Sequence, residues 1–99
     1  MSESVRHSVV LRDEDDGKNA RHVSARVEDS WDLVLSGQDM GETVEQVFRE
    51  SEYEYWLTVR AGDVPKVLLE LMKDRFKDET DFRGWLEAKG IPSEFHNWF

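Results

Sequence analysis

Glu52-Tyr53-Glu54-Tyr55-Trp56-Leu57-Thr58-Val59-Arg60 is followed almost at once by Asp63-Val64-Pro65-Lys66-Val67-Leu68-Leu69-Glu70-Leu71-Met72-Lys73-Asp74-Arg75-Phe76, and the change of period between the two stretches decides the fold class. In the first, Tyr53, Tyr55, Leu57 and Val59 alternate with Glu54, Trp56, Thr58 and Arg60, the two-residue period of a strand built from good strand formers. In the second, Val64, Val67, Leu68, Leu71, Met72 and Phe76 recur at spacings of three and four, while Lys66, Glu70, Lys73 and Lys77 take the opposite side. That is an amphipathic helix. Asp63 is placed to cap it, and Pro65 falls in its first turn, where a missing N–H is harmless.

Upstream, residues 5–12 alternate with Val5, His7, Val9 and Leu11 on one face, and residues 20–27 alternate with Arg21, Val23, Ala25 and Val27 on one face. Between them the acidic run from Asp13 contains Asp16-Gly17, and Asp-Gly supplies the positive backbone dihedral that tight hairpins need. Glu28-Asp29-Ser30 predicts a second turn and residues 31–36 a third strand, so the economical arrangement is an antiparallel meander. Gly37 to Gly41 breaks the alternation. Val44, Val47 and Phe48 then share one face of a short helix over 42–48, with Glu42 and Glu45 near its positive end. Downstream, Asp78 or Thr80 is the candidate cap of a helix that buries Phe82, Trp85 and Leu86 and stops at Gly90, while Gly84 permits a close backbone approach. The closing run Ser93-Glu94-Phe95-His96-Asn97-Trp98-Phe99 reads as a last edge strand or an extended docked tail. The expectation is an α+β fold: a single antiparallel sheet of four or five strands, with the two helices of the C-terminal half packed on one face, in one domain spanning residues 1–99.

Four Trp, five Phe and two Tyr offset a charged content of 35% and supply a core for a chain of 99 residues. A domain of that size buries roughly 60 to 70% of its unfolded surface. With no cysteine there is no disulfide framework, no thiol chemistry and no cysteine-based metal centre, which fits a cytoplasmic setting. Met1-Ser2-Glu3-Ser4-Val5 lacks the basic and apolar regions of a secretory signal, and no apolar run approaches the ~20 residues of a membrane span.

Charge is concentrated in the middle of the chain. Glu28, Asp29, Asp32, Asp39, Glu42, Glu45, Glu50, Glu52 and Glu54 face a single base, Arg49, so this segment carries −8 of the net charge of −9. Such a field repels nucleic acid and anionic lipid and attracts a basic protein or a cation. Only 13 residues are basic, with no basic run interleaved with aromatics, which argues against nucleic-acid binding. Trp56 shares its strand face with Glu54, Thr58 and Arg60. It is either an exposed aromatic anchor among acids, as in protein-binding patches, or a residue buried against Trp98 or Phe95.

Sites for chemistry are hard to place. A calcium loop begun at Asp13 needs Gly sixth and Glu twelfth, and those positions hold Lys18 and Ser24. His7, His22 and His96 have no helical metal spacing, although facing strands would suffice to join His7 to His22. No serine elbow or phosphate-cradling glycine loop is present. Neither a cofactor nor a metal ligand set follows from these residues. The carboxylates of Glu50, Glu52 and Glu54 lie at spacing two and suit either a solvated strand face or paired acid and base chemistry.

Tyr53-Glu54-Tyr55-Trp56-Leu57-Thr58-Val59, Asp63-Val64-Pro65, Phe82-Arg83-Gly84-Trp85-Leu86 and Gly90-Ile91-Pro92-Ser93-Glu94-Phe95 together resemble a group of small uncharacterised bacterial proteins over about half the chain. The resemblance implies a stand-alone bacterial α+β domain and no chemistry. In composition the chain is also similar to immunity proteins of bacterial toxin systems, which are often small, acidic and cysteine-poor. The leading expectation is a protein-interaction module, immunity-like or regulatory, that engages a basic partner through Trp56, Glu52, Glu54, Asp39, Glu42 and Glu45. One alternative is a small-molecule- or metal-dependent enzyme using His7, His22 and the carboxylates of residues 50–54. Another is a homodimer paired through residues 95–99.

Overall fold

The computed structural model describes residues 5–48 and 52–98. It is an α+β structure with one antiparallel four-stranded sheet, in the order β1-β2-β3-β4, accompanied by helices. The elements are β1 (Val5–Asp15), β2 (Asn19–Glu28), β3 (Leu33–Gly41), α1 (Glu42–Phe48), β4 (Glu52–Val59), α2 (Val64–Arg75) and α3 (Glu79–Ala88), with a 3-10 turn at Ala61–Asp63 before α2. The chain divides into two compact units, Met1–Pro65 and Lys66–Phe99. Among the described residues no helix is long and apolar enough to cross a membrane.

The sheet of the first unit has two chemically distinct faces. Val27 lies opposite Leu33 and Leu33 opposite Val59, while Ala25 opposes Leu35 and Leu35 opposes Leu57, so one face is apolar. The other carries Ser24 opposite Ser36, Ser36 opposite Trp56, and Arg26 opposite Val34. On this serine face Ser24 Oγ and Ser36 Oγ lie 3.4 Å apart and Arg26 Nη1 donates to Ser36 Oγ at 3.4 Å. Burial is thin. Val23, Val34 and Val44 are the buried hydrophobics among the described residues, with Val34 only 3% exposed in the inner strand β3.

The hairpin tip forms as the Asp-Gly signal predicts, though it is tighter. Asp15 Oδ1 accepts from the Gly17 amide at 2.9 Å, and Asp16 Oδ1 accepts from Lys18 and Asn19 at 2.9 and 2.7 Å. The Asn19 and then the Lys18 amide hold the Asp16 carboxyl below the ordinary carboxylate range. Because these bonds close the turn locally, the ladder extends outward to Asp15 opposite Ala20. A register shift between Val10 and Arg12 breaks the alternation expected of β1, so that Arg12, rather than Leu11, lies opposite Val23.

Two corrections concern β3. Trp31 was expected to open this strand, but it takes φ 70° in the preceding turn, where its amide donates to Glu28 O at 2.8 Å. The strand begins at Leu33 and runs through Gly37 to Gly41 instead of breaking at Gly37. The reason lies in the ladder. Gly37 pairs with Val23 on one side and Tyr55 on the other, and the Tyr55 ring lies over the space that a side chain at Gly37 would fill. Continuous pairing on both sides outweighs the intrinsic weakness of glycine in a strand.

Side chains from distant turns fasten the ends of this unit. Asp32 Oδ1 accepts from the Ala61 amide at 2.8 Å and its Oδ2 accepts from Arg60 Nη1 at 3.3 Å. The Ala61 amide, helped by Ser30 and Arg60, keeps the Asp32 carboxyl below its usual range. At α1, Asn19 Oδ1 accepts from the Thr43 amide at 2.9 Å, so the first turn is capped from the β1–β2 hairpin.

In the second unit, Asp78 Oδ1 accepts from the Asp81 amide at 2.9 Å, which selects Asp78 over Thr80 as the cap of α3. Gly90, at φ 70°, ends the helix as expected, and Ile91 N donates back to Leu86 O at 2.9 Å. Phe76, Phe82 and Trp85 form an aromatic trio with centroids 5.0, 5.6 and 6.3 Å apart. Residues 91–98 carry no regular structure, so the anticipated fifth strand is not present among them. Arg83 instead stacks its guanidinium 4.3 Å above the Phe95 ring.

Candidate functional site

Strand alternation sets Glu52, Glu54, Trp56 and Thr58 in one line along β4, on the serine face, opposite Met40, Gln38, Ser36 and Val34. Trp56 stands 62% exposed. Gln38 Nε2 donates to Glu52 Oε1, and to Glu54 Oε1 at 3.4 Å, tying both carboxylates to the neighbouring strand. Sequence reasoning missed Gln38 because the third strand was ended at Ser36. Continuing the alternation through Gly37 would have placed Gln38 opposite Glu54.

The hydrogen bond from Glu52 and then its charge raise the Glu54 pKa above the ordinary 4.5, with partial desolvation adding to both. A raised folded-state pKa contributes stability below the unfolded pKa and loses it as pH rises through the folded value. Glu54→Gln, which keeps the hydrogen-bonding shape without the charge, is therefore expected to raise the melting temperature at pH 7 more than at pH 4. Equal gains at both pH values would show that the pair does not repel in the folded state.

The other expected partner-binding residues do not join this line. Asp39 projects to the opposite face of β3, where Arg21 Nε lies 2.9 Å from Asp39 Oδ1. Glu42 and Glu45 are exposed in the first turn of α1. Where α1 meets the β1–β2 hairpin, an open groove of about 510 Å³ is lined by Glu14, Asp15, Asp16 and Asp39 together with Met40 and Val47. Its acids are already engaged: Glu14 by a two-point contact with Arg12, Asp15 and Asp16 by turn amides, and Asp39 by Arg21.

The histidines are not brought together. His7 lies opposite Val27, whereas His22 lies opposite Asp13, with its Nδ1 3.6 Å from Asp13 Oδ1. The two imidazoles sit on different faces and five residues apart along β2, about 16 Å at the rise of a strand. Among the described residues no three His, Cys, Asp or Glu side chains group as a metal site. Glu50 lies outside the described residues. Chemically, the β4 line offers two acceptor carboxylates and an indole on an open surface. No family model, curated protein or solved structure matches the chain, so no residue role is carried over from a relative.

Proposed function

We propose that the protein is an interaction module that engages a basic protein partner through the serine face of β4, in a regulatory or inhibitory role of the kind immunity proteins perform. The observation that carries this reading is the line of Glu52, Glu54 and the 62% exposed Trp56, steadied by Gln38. An indole at the centre of a contact supplies large apolar area at low entropic cost, and flanking carboxylates steer a cationic surface toward it. The acidic middle of the chain extends that steering field, with Glu42 and Glu45 exposed on α1.

The test is capture from bacterial lysate on tagged wild-type protein and on a Glu52→Lys/Glu54→Lys variant, each at low and at high salt. Wild type is expected to retain a stoichiometric basic protein at low salt and to release it at high salt, and the variant to retain none. Capture that is unchanged by the reversal, or indifferent to salt, refutes the reading.

A further inference from the structure

The two edges of the sheet are not alike. β1 is interrupted by register shifts between Val5 and His7 and between Val10 and Arg12, and it ends in Arg12-Asp13-Glu14-Asp15. Bulges and charges are the usual means by which an edge strand is kept from pairing with another chain. β4 has neither protection along its centre. Its ladder runs without a shift from Met40 opposite Glu52 to Leu33 opposite Val59, and it contains no proline. Trp56 and Leu57, at the middle of the strand, are 62% and 64% exposed.

We propose that β4 is a self-pairing edge: it adds antiparallel to β4 of a second copy of this chain, across a two-fold axis at Trp56, with Glu52 of each copy opposite Arg60 of the other. Two four-stranded sheets thereby join into one continuous sheet. A two-fold axis perpendicular to the sheet pairs residues of the same face, so the allowed registers centre on one residue. Centring on Glu54 opposes two carboxylates. Centring on Tyr55 sets Arg60 opposite residue 50, beyond β4, and centring on Leu57 sets Glu54 opposite Arg60 but shortens the pairing from residues 52–60 to residues 54–60, so the longer ladder decides. Centring on Trp56 sets Glu54 opposite Thr58 and Tyr55 opposite Leu57, places the two indoles side by side, and matches two acids with two bases. Arg60 can reach across, since its side chain is 82% exposed and its contact with Asp32 is a single 3.3 Å approach.

This pairing uses the backbone edge of β4 and does not depend on the proposed basic partner. In such a dimer the line of Glu52, Glu54 and Trp56 is displayed twice on one face.

Sedimentation equilibrium of the purified full chain, with no partner present, tests the proposal. Wild type is expected to show a concentration-dependent dimer. Glu52→Arg and Arg60→Glu each oppose like charges twice, and each is expected to raise the dimer dissociation constant about tenfold or more. Mixed in equal amounts, the two variants set the introduced arginine of one chain opposite the introduced glutamate of the other, and the native Arg60 of the first opposite the native Glu52 of the second, so dimer is expected to return. That recovery also demonstrates that both variants are folded. A wild-type chain that stays monomeric to roughly millimolar concentration overturns the proposal, as do single variants that dimerise like wild type or a mixture that stays monomeric. A wild type that dimerises but captures no basic partner at low salt refutes only the proposed function, and a wild type that captures the partner but stays monomeric refutes only this pairing.

Discussion

Replacing Gly41 by alanine is expected to cost about 2 to 4 kcal/mol of folding stability, the sum of backbone strain and overpacking. Gly41 sits at φ 117°, a region that side chains with a Cβ rarely adopt. A Cβ placed there would also press on Lys18 O and come within 2.8 Å of Asn19 Cα. Both obstacles are backbone, and neither swings aside as a long side chain would. The strain falls on a junction with few other fastenings, where the Glu42 amide donates to Lys18 O at 3.2 Å and the Thr43 amide to Asn19 Oδ1 at 2.9 Å. Pushing the hairpin away breaks both bonds and releases α1, with the buried Val44, from the sheet. For a folded unit of roughly 60 to 100 residues, each kcal/mol lowers the melting temperature by roughly 4 to 8 °C, so a fall of about 10 to 25 °C should be visible in a thermal melt. Gly17→Ala is the control. Gly17 is at φ 89° with nothing within 4 Å of an added Cβ, so it reports strain without collision. If Gly41→Ala loses no more than Gly17→Ala, the junction does not hold α1 as described.

The same junction shows why part of the fold is legible in the sequence and part is not. Local signals succeeded where a single short-range mechanism decides the outcome. Asp16-Gly17 made the hairpin, Asp78 made the cap of α3, Gly90 ended it, and the acidic first turn with Val44 and Val47 marked the helix over 42–48. They failed where pairing between distant segments decides. Gly37 reads as a breaker until Tyr55 is known to lie across from it, and Trp31 reads as a strand former until the Glu28 to Asp32 turn claims it. The bulge in β1 is equally invisible, because Val9-Val10-Leu11-Arg12 contains nothing that marks a register shift. The candidate site divides along the same line. Glu52, Glu54 and Trp56 share a face by strand alternation alone, which period two reveals. Gln38, which ties the two carboxylates together, and Arg21, which draws Asp39 into an ion pair on the other face, are cross-strand partners that only the register supplies.

Trp56→Ala separates a binding role from a structural one, because the two roles predict opposite pairs of results. An exposed side chain opposite a serine contributes little to folding, and the substitution is expected to shift stability by no more than about 0.5 kcal/mol. As the aromatic anchor of an interface it carries far more. Truncating such an anchor costs at least about 2 kcal/mol of binding, which raises the dissociation constant about 30-fold. The measurement is calorimetric titration of wild type and variant with the basic protein that wild type captures at low salt, alongside thermal melts of each. Tyr55→Ala supplies the contrast from the opposite face of the same strand. Its ring lies over Gly37 and 5.6 Å from the Tyr53 ring, so its loss uncovers the backbone of the central strand and should lower the melting temperature while leaving the serine face in place. A Trp56→Ala protein that melts early and binds as well as wild type would place Trp56 in the fold and remove it from the interface. The expected pattern is the reverse, because the charges beside Trp56 do not need its indole in order to fold. Glu52 and Glu54 already repel each other there, a cost that a solvated strand face could avoid and that a cationic partner would relieve.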